Sequence, residues 1–141
     1  MTALERAQRS AQAMLANDAS TESMGIEIEI PGAGAAIATM TVRDDMANGF
    51  AVCHGGVVFT LADTAFAFAC NAYNAETLSA NATIKWLRPA RPGDRLVAVA
   101  SEDSREGRHG HYSVVVHNQD DELVAEFSGH SITTGTALFE E

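Results

Sequence analysis

Asp63 is the one charged side chain in the run "GGVVFTLADTAFAFAC", residues 55–70. A carboxylate left unpaired among apolar groups is costly to bury. Either a neighbour such as the Thr60 or Thr64 hydroxyl satisfies it, or it lines a cleft. In a cleft, desolvation raises its pKa and suits it to act as a base or nucleophile. The run follows directly on His54, giving His54-Gly55-Gly56. Glycines at a helix N-terminus leave backbone N–H groups without helical acceptors and let a ligand come close. Such groups, aided by the helix dipole, suit a developing oxyanion. Asn48 precedes them and can donate an amide N–H to a substrate carbonyl, or serve simply as the turn residue of "NG". His54 and Asp63 lie nine positions apart. At about 100° per residue that is roughly half a circle, so on one helix they point to opposite sides. A two-fold dimer brings the Asp63 of one chain to the His54 end of the other.

Other candidates carry less. Cys53-His54 has the composition of a nucleophile and base, but adjacent residues in an extended chain point apart. Cys53 and Cys70 lie in apolar contexts without CxxC spacing and read as reduced, buried thiols of a cytoplasmic protein. His109 and His111 flank a glycine and suit a loop near an anion; as metal ligands they lack companions, so no metal site is expected. His117 and His130 read as strand-surface residues. The sequence contains no GxSxG and no phosphate-binding P-loop.

The chain has 141 residues, 46% of them hydrophobic, which is enough for one core, and a formal charge of −10. That charge argues against nucleic acid or an anionic membrane as a partner. Six of the nine basic residues, Lys85, Arg88, Arg91, Arg95, Arg105 and Arg108, fall in a window with four acids, a local net of +2 against −12 elsewhere. Such a patch can hold a small anion such as a nucleotide phosphate, or be ordinary solvated strand-edge charge. The charged N-terminal stretch has no apolar signal segment, and no uncharged run approaches the ~20 residues of a membrane span.

The elements that must position these residues follow from periodicity. Leu4, Ala7, Ala11, Met14 and Leu15 predict an amphipathic helix over 3–17. "GIEIEI" alternates, "PGAG" turns and "AAIATMTV" returns, a hairpin. From Gly55 to Tyr73 apolar residues cover every face, predicting a helix buried all round. "SANATIKWL", "RLVAVASED", "HYSVVVHN" and "LVAEFSGHSIT" predict four strands joined in an antiparallel meander, with "RPARPGD" and "SREGRHG" as turns. To bury the helix, an α+β arrangement is required in which the sheet curls around it.

At these residues the sequence resembles a known family. "NGFAVCHGGVVFTLADTAFAFACN" followed by "ATIKWLRPARPGD" is similar to the PaaI-type acyl-CoA thioesterases of the hotdog-fold superfamily, linked to bacterial phenylacetate degradation. The likeness runs from about Gly25 to Ser131. It implies one hotdog domain over residues 1–141, with an N-terminal helix in 1–20 and the hotdog core in 21–135: about six antiparallel strands around a long central helix. It implies hydrolysis of the thioester of (hydroxy)phenylacetyl-CoA or a related aryl or medium-chain acyl-CoA. Asp63 would match the catalytic base or nucleophile, Gly55 and Gly56 the glycines whose N–H polarises the thioester carbonyl, and Asn48 and His54 the pair orienting it. Ser79 would match a hydroxyl that helps place water in some relatives. Arg88 and Arg91, then Lys85 and Arg108, with Pro89 between them, would contact the CoA portion. Coenzyme A is then part of the substrate, with no metal or redox cofactor. The partners implied are further copies of the chain, dimers with shared sites paired into tetramers. Two rival readings are another hotdog enzyme, a hydratase or dehydratase, and a non-catalytic acyl-CoA-binding module.

Overall fold

The computed structural model describes residues 1–141. Helix α1 is Ala3–Leu15, α2 Ala19–Ser23 and α3 Gly55–Cys70; the strands are β1 Glu27–Gly32, β2 Ala35–Thr41, β3 Thr77–Trp86, β4 Arg95–Glu106, β5 His109–His117 and β6 Leu123–Thr133. Thr2 and Glu5 start α1 with a capping box: the Thr2 hydroxyl accepts from the Glu5 N–H at 3.1 Å, and the Glu5 carboxylate accepts from the Thr2 N–H at 2.8 Å. The helix buries Ala7, Ser10 and Ala11 and ends two residues before the expected 17. Its outer face is tied to the C-terminus, where Arg6 forks onto the Glu141 carboxylate and Arg9 covers the Phe139 ring.

All strand pairings are antiparallel, and the six-stranded order is β1-β2-β4-β5-β6-β3. The hairpin β1–β2 and the meander β4–β5–β6 match the pattern read from the sequence. Strand β3 does not: it pairs with β6 at the far edge rather than with its successor β4. "RPARPGD" is therefore no tight turn. Residues 87–94 cross the end of the sheet, and Pro89 and Pro92 lack the N–H a hairpin ladder would use. Main-chain bonds hold this crossing. The Leu87 and Arg88 N–H groups donate to the Val124 carbonyl, Cys53 N–H to Ala90, Gly93 N–H to Val42 and Val42 N–H to Asp94. Between β4 and β5 the turn is only Gly107-Arg108, with Gly107 at φ +61, so His109 and His111 lie on strand β5 and not in a loop. The short turn follows from glycine, which takes the left-handed conformation at no steric cost.

Helix α3 lies in the concave face of the sheet. Leu61, Ala62, Ala65, Phe66 and Ala69 are fully enclosed, packed among Met40, Leu96, Val114, Val116 and Phe127. Phe66 sits directly on the backbone of Gly129, where a Cβ would lie 2.7 Å from the ring. Phe66 also meets Phe127 and Tyr112 at ring separations of 5.7 and 5.6 Å. The helix ends at Cys70, three residues before the expected Tyr73, and Asn71 closes it by bonding both Ala67 and Thr77. Burial is not complete all round. Gly56, Thr60, Asp63, Thr64 and Ala67 recur at helical spacing and keep a stripe of α3 only partly covered. One curled sheet around one long helix is the hotdog arrangement that the sequence resemblance implied.

Replacing Gly129 with Ala forces Phe66 or the sheet to move. Overpacking of this kind costs about 1–3 kcal/mol, so urea unfolding of Gly129→Ala should show a midpoint clearly below that of the native chain.

Candidate active site

The N-terminal end of α3 is built without a cap. His54 occupies the N-cap position in an extended conformation, and its side chain makes no capping bond. The first backbone bonds to this turn come from Val57 and Val58, both donating to the His54 carbonyl. The N–H groups of Gly55 and Gly56 thus have no acceptor, and the positive end of the helix dipole is open. The two glycines are there for different reasons. A Cβ on Gly55 would come within 3.3 Å of the Trp86 indole, whereas one on Gly56 would meet nothing nearer than His54 Nδ1 at 4.0 Å. At the first glycine a side chain would crowd the Trp86 indole; the second leaves open space in front of a free donor.

The loop that delivers His54 is held by Asn48. Its Oδ1 accepts from the N–H groups of Phe50 at 2.9 Å and Val52 at 3.4 Å, while Ala51 takes the left-handed φ of +59. With the carbonyl end occupied, the amide NH₂ is the end of Asn48 left for a ligand. The loop and the 87–94 crossing wall a cleft of about 340 Å³, lined by Asn48, Val52, Gly55, Trp86, Arg88 and Pro89 among others.

Asp63 is half-buried, and desolvation raises its pKa above the ordinary carboxylate value. The threonines do not satisfy it: Thr60 Oγ1 donates to the Gly56 carbonyl at 2.9 Å and Thr64 Oγ1 to the Thr60 carbonyl at 2.6 Å. Asp63 does not line the cleft. Eight residues beyond Gly55, it lies about 12 Å further along the helix axis. One chain thus holds the glycine N–H groups and the Asp63 carboxylate apart.

The remaining expected residues divide by position. Arg88 reaches the cleft and is paired with Glu122 at 3.0 Å. Arg91 is exposed in the crossing, its N–H bonded to Asp94. Lys85 is exposed on β3 opposite Glu126. Arg108 lies near Cys70, at the other end of α3, so the cationic window of the sequence is not one patch in a single chain. Arg105 is engaged elsewhere, over the Tyr73 ring at 3.5 Å. Ser79 is exposed on β3, opposite Ser131 of β6 and beside a register shift.

Neither cysteine is an activated nucleophile. Burial pushes the Cys53 thiol up to about 11, helped by the nearby Asp94 charge, and the Cys70 thiol up to about 12. Three histidines meet outside the cleft: His109 Nδ1 and His130 Nε2 are 2.8 Å apart, and His111 stacks on His130. Burial and the two neighbouring imidazoles lower the pKa of His130. The group does not have the geometry of a metal site. Trp86 is the site residue that sequence reasoning missed. It shares the strand face of Ala82 and Ile84, yet it stands 53% exposed at the strand end and donates its indole N–H to the Gly55 carbonyl at 3.1 Å.

The sequence pattern of the thioesterase superfamily matches residues 50–125. The chain is 41% identical over 133 residues to the acyl-coenzyme A thioesterase PaaI of Escherichia coli, covering 94% of this chain and 95% of that one. It is 34% identical over 112 residues, 79% of this chain and 73% of the other, to a putative esterase of Archaeoglobus fulgidus. The structure of the E. coli PaaI protein from the phenylacetic acid degradation operon superposes with a TM-score of 0.94 at 40% identity, covering 96% and 99% of the two chains. The superfamily pattern over residues 50–125, the identity across nearly the whole of both chains and the shared fold agree, so the protein is a hotdog-fold thioester hydrolase and belongs to the thioesterase superfamily.

Proposed function

We propose that the protein hydrolyses acyl-CoA thioesters, with phenylacetyl-CoA or hydroxyphenylacetyl-CoA as the preferred class, releasing the free acid and coenzyme A. The observation that carries this reading is the pair of unpaired N–H groups at Gly55 and Gly56, facing an open approach. A thioester carbonyl seated there has its oxygen stabilised as negative charge develops on it. The Asn48 amide and the His54 imidazole orient that carbonyl. Asp63 then removes a proton from water as the water attacks the acyl carbon, the C–S bond breaks and the thiolate leaves as the free acid forms. Alternatively Asp63 attacks that carbon itself and the C–S bond breaks with loss of the thiolate; water then hydrolyses the resulting anhydride, releasing the acid and restoring the Asp63 carboxylate. Arg88 and Arg91 suit the CoA phosphates, with Lys85 a further cation beside Trp86, and Arg108, at the far end of α3, would contact that ligand from another chain. Ser79 is proposed as a hydroxyl that helps place the water. The reaction requires neither a metal nor a redox cofactor.

The same reading makes the working unit a homodimer with shared sites, two of which pair into a tetramer. Strand β3 offers ten residues of open sheet edge and exposes Leu78 and Trp86. Long edges of this type pair with another chain unless they are blocked. The uncovered stripe of α3 carrying Asp63 is available to the same partner.

A panel of phenylacetyl, hydroxyphenylacetyl, benzoyl and straight-chain CoA thioesters, followed by thiol release, tests the activity. The arylacetyl substrates should give the highest kcat/KM; enoyl-CoA hydration with no thiol release would point to the hydratase reading instead. Asp63→Asn should lower kcat by about 10²–10⁴-fold with KM little changed. A substitution at Asp63 that turns over like the native enzyme would rule out its role. Asp63 must be ionised to act, and its pKa is raised, so kcat should fall on the acid side at a pH above the ordinary carboxylate range. A pH–rate profile checks this. Shared sites also predict complementation. Random mixing of Asp63→Asn with Gly56→Val chains should recover about a quarter of native activity, because half the dimers are mixed and each has one intact site. Sites confined to single chains would recover none.

A further inference from the structure

The Gly55 carbonyl and the Gly56 N–H belong to one peptide unit. That unit is planar and trans, so its oxygen and its hydrogen point in opposite directions along one rigid plate. The Trp86 indole Nε1–H donates to this oxygen at 3.1 Å, and the ring lies 3.3–3.5 Å from where a Gly55 Cβ would be. The bond joins residues 31 positions apart, between the end of β3 and the first turn of α3. An exposed tryptophan has no need of so specific a partner, since water would satisfy its N–H.

We propose that Trp86 is a positioning residue for the reaction. Its indole holds the Gly55–Gly56 peptide plane, and so aims the Gly56 N–H at the carbonyl of the substrate. A donor on the carbonyl side also polarises the amide, which makes its N–H a stronger hydrogen-bond donor. The arrangement explains why the glycine pair is needed as a pair: Gly55 lets the indole lie against the backbone, and Gly56 keeps the approach to the donor open. The exposed remainder of the indole forms a wall of the cleft, and an aryl group entering there has an aromatic surface to stack on.

The inference builds on the thioesterase reading through its kinetic arm, and a spectroscopic arm is independent of that reading. Trp86→Phe keeps an aromatic wall and removes the N–H. Loss of an entire oxyanion donor reduces kcat by about 10²–10³-fold, so loss of the group that aims one should reduce it by about 10-fold. KM should stay nearly constant, because the effect falls on the transition state. In the same variant the Gly56 amide ¹⁵N and ¹H resonances should shift, with the thermal midpoint unchanged. Should Trp86→Phe not fold, β-(3-benzothienyl)alanine at position 86 retains the shape of the indole and lacks the donor. Trp86 is also the only tryptophan in the chain, so its fluorescence reads the cleft directly. A thioether analogue of phenylacetyl-CoA should change the emission on binding. Native kcat in a folded variant without the donor, or an unmoved Gly56 resonance, overturns the proposal. A native enzyme that releases thiol from no thioester overturns the thioesterase reading, and leaves the resonance test of the clamp standing.

Discussion

The closeness of α3 to the sheet sets the rest of the structure. Phe66 rests on bare backbone at Gly129, and Ala62, Ala65 and Ala69 let the helix sink until these positions are fully enclosed. Small residues on both surfaces shorten the gap, and the sheet must curl to follow the helix. A curled sheet of six strands does not close around a helix. It leaves β3 as an open edge, a stripe of α3 uncovered, and the first turn of the helix projecting at the sheet's end. Each of these holds one of the candidate groups: Trp86 at the end of β3, Asp63 on the stripe, and the unpaired glycine N–H groups at the first turn.

The first turn of α3 has an electrostatic character that its neighbours maintain. A side-chain cap at His54, or an acidic residue in the first turn, would occupy the free N–H groups; the chain has neither. The side-chain oxygen of Asn48 is used within its own loop, and the Gly55 carbonyl is taken by Trp86. Acceptors near the turn are thereby engaged, while the donors remain open. Asp63, the one anion on the helix, is separated from that turn by about 12 Å, half the helix's length.

Much of this was legible in the sequence because it is local. The helix beginning at Gly55, the alternating strands and the glycine pair each follow from residue type at short spacing, although the helix stops at Cys70 rather than Tyr73. Even the separation of His54 from Asp63 needs only the helical repeat. What the sequence hid is non-local. Strand β3 pairs across a crossing to β6, and only Pro89 and Pro92 hinted that "RPARPGD" would not fold back on itself. Arg88 and Arg108 fall in one basic window of the sequence, yet lie near the opposite ends of a 16-residue helix roughly 24 Å long. Trp86 continues the inward alternation of Ala82 and Ile84, but its strand runs past the edge of the core, and a pattern of period two cannot show where the core ends. His109 looked like a loop residue because a two-residue turn at Gly107 was invisible without its φ.

The 87–94 crossing is fastened through main-chain atoms: Leu87, Arg88, Ala90, Gly93 and Asp94 use their N–H or C=O groups, and their partners do likewise. Main-chain fastening is nearly indifferent to side-chain identity. Exposed positions of the outer wall such as Leu87 and Arg88 can therefore exchange their side chains while the crossing stays in place. Asp94, whose carboxylate accepts from the Arg91 N–H and the Gln119 amide, and the buried Ala90 are instead tied to the fold. Selection for a new acyl group and selection for a folded protein then act on separate atoms of the same residues. At those exposed positions a lineage carrying this fold can vary the cleft wall at small cost to stability.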